Sequence, residues 1–445
     1  MVGDIAAAVV RRGLSAGVNL VATSYLAHRF GSGQMGAYVG MLTLGQLLNV
    51  ALVCGLDVTP AYLMRSHPAQ HRRVWEVTTA TSLILASVAG ALWLLSGFVI
   101  PWLGSAGDTF HTWGGAPFLY AAGLLLMQPQ YACLQGLLHL NSFNVLQVLY
   151  PVAFLIGILV LENRYGALTP SSAIVLLGAV GVATAAGGAL LVLRAIRATS
   201  GPVSPYGVKR SLRRAFLDFS LGSYVANIIG SLNSRLPALL SALMLVPTAA
   251  GTFAGAVIIN DLFAFFSHAI ASITFPKLAG SADMATRLRD LGLACRINTT
   301  ATLGAALVFV ALFDLLVPMM LGPTFAGVRH FVWLAVILLA CAVLQSTARL
   351  LCTDFASQGR PYVNAWLNVP SLIVFLVLFV LTTAHWQEWG AVISFASASI
   401  LFSSLTFIVH KRHSGLSLKD VGLLSRSDVR LTLDLLRMRR RRPQS

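Results

Sequence analysis

Charge is scarce in this sequence: 10% of its 445 residues are Asp, Glu, Lys or Arg, against roughly 25% in an ordinary soluble domain. Acid is scarcer still, with 15 Asp and Glu against 31 Lys and Arg. The five cysteines, Cys54, Cys133, Cys295, Cys341 and Cys352, are scattered through or beside apolar stretches without the spacing of a metal site or disulfide framework. They read as packing residues. A phosphate-binding P-loop, an HExxH pair and a nucleophile elbow are also missing, so no catalysis, metal or cofactor is expected. The opening MVGDIAAAVVRRGLSAGVNL has an acid at Asp4 and a mid-segment basic pair, not the order of a cleaved signal. The N-terminus is expected to stay.

What fills the chain is apolar sequence, 57% of it, with a mean hydropathy of +0.78. This is the composition of a polytopic, all-α membrane protein, because a spanning helix needs about 20 mostly apolar residues and irregular backbone cannot face lipid. Twelve spans are expected, at about 11–30, 36–62, 75–101, 115–138, 144–162, 171–193, 216–245, 248–275, 293–321, 327–353, 361–383 and 389–410. The net charge of +16 would suggest nucleic acid in a soluble protein, but here most of it falls in alternate loops. One set carries Arg65, Arg72, Arg73, Arg194, Arg197, Lys209, Arg210, Arg213, Arg214, Lys277, Arg287, Arg289 and Arg360, the other only Arg29, Arg164 and Arg329. Lys and Arg gather on the cytoplasmic side, so both termini are expected there and no nucleic-acid partner is.

The longest polar interruption, RAIRATSGPVSPYGVKRSLRR from Arg194, divides the chain. The expected organisation is a six-helix bundle over 1–197, a cytoplasmic linker over 198–214, a second six-helix bundle over 215–410 and a basic cytoplasmic tail over 411–445. An offset of 215 lays GQMGAYVGMLTLGQLLNVALV from Gly33 on TAAGTFAGAVIINDLFAFFSH from Thr248, pairing Gly36 with Gly251, Tyr38 with Phe253, Gly40 with Gly255 and Gln46 with Asp261. Parallel repeats of this kind are a recurrent transporter plan, with the substrate path at their interface.

YLAHRFGSGQMGAYVGMLTLGQLL from Tyr25 resembles the opening of the polysaccharide flippases (Wzx-like), in which an Arg near the end of the first span precedes a Gly and then a Gly-x-Tyr. The run ending in Phe-Pro-x-Leu-Ala at Phe275 to Ala279 is similar to the matching element of that family's second half, and LLVPMMLGPTFAG from Leu315 to the close of its ninth span. The resemblance implies the multidrug/oligosaccharidyl-lipid/polysaccharide exporter (MOP) superfamily: two six-helix bundles in a MATE-like V, working by alternating access. It also implies a bacterial inner-membrane location and a substrate of oligosaccharide on a polyprenyl diphosphate, flipped for O-antigen, exopolysaccharide or capsule synthesis. Membrane lipids, a polysaccharide polymerase and a chain-length regulator are the implied partners.

The stretch GSLNSRLPALLSALML from Gly230 sets Asn233, Arg235 and Pro237 inside apolar sequence. If span seven runs to Leu245, Arg235 lies about 15 Å from its outer end, and Asp261 about 20 Å from the same side on span eight. Both are then near the middle of a core about 30 Å thick. A charge at that depth must face protein or water. Arg235 is accordingly a candidate for binding the diphosphate, with Asp261 holding it when the lumen is empty and Pro237 loosening the helix beside it. The competing reading ends span seven near Ser234, with Arg235 snorkelling to the outer surface. Asp261 and His268 are two turns apart on one face and are candidates for ion coupling, and Asn260 adjoins them. Gln46 is the first-half counterpart of Asp261. Such amides serve equally as interhelical glue. Arg29, at the outer end of span one, reads as a boundary anchor or as a guide for an acidic glycan.

Asp57, Asp218, Asp314, Arg349 and Asp354 lie near span ends, where interfacial placement accounts for them. In the tail, Leu423, Leu424, Leu431 and Leu435 recur at helical spacing among ten Lys and Arg, which predicts a basic amphipathic helix on anionic lipid. Two rival functions stand beside the flippase. A multidrug or small-metabolite antiporter needs an acidic cation site in the first or seventh span, where span one offers only Asn19 and Thr23. A membrane-bound glycan polymerase or ligase usually has a large extracytoplasmic loop, and the loops here are short.

Overall fold

In hydrocarbon every backbone N–H and C=O must be satisfied within the chain, and helix is the only regular structure found among the described residues. The computed structural model describes residues 2–57, 59–66, 70–99, 112–166, 168–199, 209–279, 283–358, 360 and 362–423. In order, the helices are α1 (Val2–Leu52), α2 (Thr59–Ser66), α3 (His71–Val99), α4 (Ala116–Gly136), α5 (Leu140–Tyr165), α6 (Pro170–Thr199) and α7 (Lys209–Met244). There follow α8 (Pro247–Ala279), α9 (Met284–Ala311), α10 (Phe313–Leu321), α11 (Pro323–Ala326), α12 (Phe331–Ser357), α13 (Tyr362–Ser414) and α14 (Leu418–Val421). Eight of the described helices are long and apolar enough to cross a membrane. The chain is a multi-pass membrane protein.

Two of those helices, α1 with 51 residues and α13 with 53, are far longer than the roughly 20 residues of one crossing. Each is broken. Gly31 interrupts α1 at φ 58, a left-handed value that costs glycine little, and so separates the expected spans 11–30 and 36–62. Gln387 interrupts α13 at φ 45. Beyond it the chain returns on itself, since Thr382 Oγ1 donates to the Gly390 carbonyl at 3.1 Å.

Three expected boundaries need correction. The span placed over 36–62 stops at Leu52, because Cys54 and Gly55 take positive φ (45 and 79) and turn the chain before α2. The span placed over 293–321 begins instead at Met284, where the Asp283 carboxylate accepts from the N–H groups of Ala285 and Thr286. It also ends early, and α10 starts afresh at Phe313. The tail expected from Lys411 starts inside α13, which runs to Ser414. Its Leu424, Leu431 and Leu435 lie outside the described residues, as do 200–208 of the linker.

Contacts divide the chain into two compact units. The first takes in the chain up to Gly255, with Asp314–Phe331 and Leu378–Ala391. In it α4 and α6 meet through small residues: a Cβ on Gly123 would lie 2.5 Å from the Gly178 carbonyl oxygen. Trp75 Nε1 donates to Gln130 Oε1 at 2.9 Å and closes a polar contact between α3 and α4. The repeat seen in sequence is visible in this packing. Gly36 and Gly251 lie against each other, and a Cβ on Gly251 would fall 1.5 Å from the Ser32 carbonyl oxygen. Their neighbours in the repeat, Gly40 and Gly255, each take an aromatic ring, Trp113 and Phe325, where a Cβ would be.

The second unit comprises Ala256–Phe313, Val332–Val377 and the chain from Val392. Phe263, Phe309 and Phe313 stack edge to face, at 5.7 and 6.1 Å between centroids. At one end Val421 of α14 is buried with Leu278, Leu291, Cys295, Leu350 and Leu351. The α14 turn is held there by a Ser417/Asp420 capping box and by Arg296, which donates to the Asp420 carbonyl at 2.7 Å.

Because close approach through glycine is what lets these membrane helices pack, Gly251→Val is expected to lower the thermal unfolding midpoint of the purified protein. Overpacking of this kind costs about 1–3 kcal/mol. An unchanged midpoint would show that α8 can move away from Ser32 at no cost.

Candidate functional site

Arg235 lies inside α7, which continues without interruption to Met244. The alternative in which the helix stops near Ser234 is therefore excluded. Pro237, buried within the same helix, has no N–H to donate four residues back. Arg235 itself is half-buried, and Asn233 likewise.

The second limb of α1 runs antiparallel to α7. Gly40 packs on Ala242 at one level, and the Tyr224 hydroxyl donates to the Ala51 carbonyl at the other. Between those levels a polar cluster forms. The Tyr120 ring of α4 fills the space beside Gly45, and its hydroxyl hydrogen-bonds Gln46 and Tyr150 within the field of the Arg235 guanidinium. One turn on, Asn49 Nδ2 donates to Gln128 Oε1 at 3.3 Å. The amide oxygens of Gln46 and Asn49 are buried and accept no hydrogen bond from protein. In hydrocarbon such an acceptor costs free energy unless water or a ligand reaches it. The first unit thus holds a guanidinium, two phenols and the Gln46 amide together, with the Asn49 and Gln128 amides one turn on. The guanidinium suits an anion with several oxygens, since Arg binds phosphate with a planar fork, whereas the two open amide oxygens take a donor such as water or a sugar hydroxyl.

The remaining expected residues fall elsewhere. Asp261 and His268 are both exposed on α8 and belong to the second unit. Asn260 does not share that face: it is 3% exposed and turns inward beside Phe263 and Ser267, although its Nδ2 reaches Asp261 Oδ1 at 3.5 Å. Ser267 accepts from Asn298 Nδ2 at 3.2 Å. The interior stripe of α8 is thus the interhelical bonding that small polar residues supply in membranes. Arg29 is not a lone cation. Its Nε lies 2.6 Å from Glu162 Oε1 of α5, and Glu162 also accepts from the Tyr25 hydroxyl.

One charged cluster escaped the sequence reading. Asp354, expected at an interface, is fully buried. Arg287 of α9 donates to its Oδ1 through Nε at 2.9 Å and Nη2 at 2.8 Å, and His410 Nε2 lies 3.1 Å from Oδ2. Gln358 Nε2 donates to Oδ2 at 2.8 Å, and the far side of the His410 ring meets Ser414 Oγ at 2.8 Å. The signal was present in sequence, as Asp, Arg and His at the ends of three apolar runs, but nothing in their spacing joins residues 67 and 56 positions apart.

Removing one partner of a buried pair leaves the other charge uncompensated, at about 3–5 kcal/mol, whereas a pair as open as Arg29–Glu162, with Arg29 59% exposed, contributes about 0–1 kcal/mol. Asp354→Ala should therefore lower the thermal midpoint in detergent by several times the effect of Glu162→Ala. Equal effects would mean that water reaches Asp354.

No protein-family model matches the chain, and no curated protein sequence does either. Solved structures do. The lipid II flippase MurJ in an inward closed conformation aligns at a TM-score of 0.68 over 93% of this chain and 88% of its own, with 11% identity. An inward-facing multidrug resistance MATE transporter of the MOP superfamily aligns at 0.64, over 92% and 98%, with 14% identity. A MOP superfamily transporter from Pyrococcus furiosus, described as having a binding pocket of reversed polarity, aligns at 0.62, over 92% and 95%, with 14% identity. Across nearly its whole length, this chain has the all-α, MATE-like fold shared by the transporters of the MOP superfamily.

Proposed function

We propose that the protein is a flippase that carries polyprenyl-diphosphate-linked oligosaccharide from the cytoplasmic to the outer leaflet of a bacterial inner membrane. It works by alternating access between two six-span halves, 1–197 and 215–410, with both termini cytoplasmic, and supplies O-antigen, exopolysaccharide or capsule synthesis beside a polymerase and a chain-length regulator. The observation that carries the reading is the guanidinium of Arg235 inside an unbroken helix, grouped with Tyr120 and Gln46, in a fold found in a lipid II flippase.

In this reading Arg235 takes the diphosphate, because its fork matches phosphate oxygens and a desolvated charge-assisted hydrogen bond is strong. Gln46 and Asn233 supply amides to the head group or the glycan. Arg29, already matched by Glu162, serves as an end anchor. The likeness to multidrug transporters favours a second reading, a cation-coupled antiporter, in which Asp261 and His268 on the exposed face of α8 bind the coupling ion.

In a strain lacking the chromosomal copy, Arg235→Ala is expected to abolish surface glycan while the protein inserts at wild-type level, and Arg235→Lys to restore it in part, since lysine keeps the charge without the fork. Wild-type glycan from the alanine variant would remove Arg235 from the site. Loss of drug efflux with glycan unaffected would favour the antiporter.

A further inference from the structure

Along part of their length α1 and α7 do not close on each other. They leave a cavity of about 210 Å³ lined by apolar side chains, among them Leu44, Leu47, Leu48, Ala51, Ile228 and Leu232. Its place relative to the cation follows from helix geometry. Ile228, Leu232 and Arg235 stand at i, i+4 and i+7, one face of α7. Arg235 thus stands one to two helical turns along the face of α7 that, with Leu44, Leu47, Leu48 and Ala51 of α1, lines the apolar cavity.

That division matches an amphiphile with an anionic head and a hydrocarbon chain, and fits neither a free sugar nor a hydrophobic drug cation. At about 210 Å³ the cavity is smaller than the roughly 300–1,000 Å³ of a pocket that encloses a whole small molecule. It therefore takes only the first carbons of a chain whose remainder lies elsewhere. Building on the flippase reading, we infer that the α1/α7 cavity seats the head-proximal isoprene units of the lipid carrier while Arg235 holds its diphosphate. Lipid chains are as apolar as leucine, so burial alone gives no preference for the cavity over bilayer. The seat acts by shape: it gives the chain a path out beside the bound head, so the two need not separate during transport.

The test uses purified full-length protein in vesicles of phosphatidylethanolamine and phosphatidylglycerol, with bound lipid read by native mass spectrometry. Undecaprenyl diphosphate is compared with inorganic diphosphate, which presents the same head with no chain. Wild-type protein should retain the long-chain probe in preference. Ile228→Trp, which fills the cavity, should reduce that retention about tenfold or more and leave inorganic diphosphate unaffected, while Arg235→Ala should reduce both. Leu47→Phe is a gentler filling from the opposite wall, and the chain-length comparison needs no substitution. Equal retention of the two probes by wild type, or long-chain retention untouched by either filling substitution, overturns the seat and leaves the flippase reading standing. Phosphatidylglycerol held by wild type and lost alone from Ile228→Trp also overturns it, by assigning the cavity to a bilayer lipid. Retention of neither probe removes the diphosphate-lipid substrate itself.

Discussion

The approach of Gly36 to Gly251 is the contact on which the first unit depends. Helices in lipid gain nothing from hiding apolar surface, since the surrounding chains are equally apolar, so they associate by packing and interhelical hydrogen bonds. Packing needs small residues where axes come nearest, and here the start of α8 comes so close that the Ser32 carbonyl occupies the place of a side chain on Gly251. With α8 seated there, Gly40 and Gly255 can each accept an aromatic ring, and the second limb of α1 becomes the surface on which α4 and α7 also lie. The level at which Tyr120, Gln46 and Arg235 converge follows from that seating.

Much of this was readable in advance, for a physical reason. A crossing requires a long apolar run, so all twelve expected segments overlap helices, and the repeat aligned Gly36 with Gly251, although that equivalence did not say that the two touch. Turns made by unusual backbone were not readable. Gly55 marks the end of α1, but the positive φ at Cys54 and Gln387 has no signature in residues that seldom adopt it. Nor does periodicity reveal which charges meet. Arg29 announced itself as a charge at a span end, while its partner Glu162 lies 133 residues away on α5. The amides divide in the same way: Gln46 sits beside Arg235 through Tyr120, whereas Asn260, next in sequence to Asp261, turns inward.

The described charges follow three regimes. Arg29 and Glu162 meet at a helix end, where water is near and the bond is worth little. Arg287, Asp354 and His410 are withdrawn from water and satisfy one another almost completely, an arrangement that removes cost more than it adds stability. Arg235 is intermediate: half-buried, on an unbroken helix, among phenols and amides that include unfilled acceptors. The open amide oxygens take a donor, water or a ligand hydroxyl, and not phosphate oxygen.

The Asp354 cluster also bears on how the chain is assembled. Its aspartate sits on α12, its arginine on α9 and its histidine on α13, so the groups leave the ribosome in the order Arg287, Asp354, His410. Until α13 is in place the carboxylate has Arg287 and Gln358 but not His410, and that side of the site stays open to water or carries an unmatched lone pair. Closure of the second unit therefore waits for its last long helix. The short α14 follows at once, burying Val421 against α9 and α12. A chain stopped before residue 410 would have its spans but not the lock that joins them, and quality control would meet it as a protein with an aspartate still exposed.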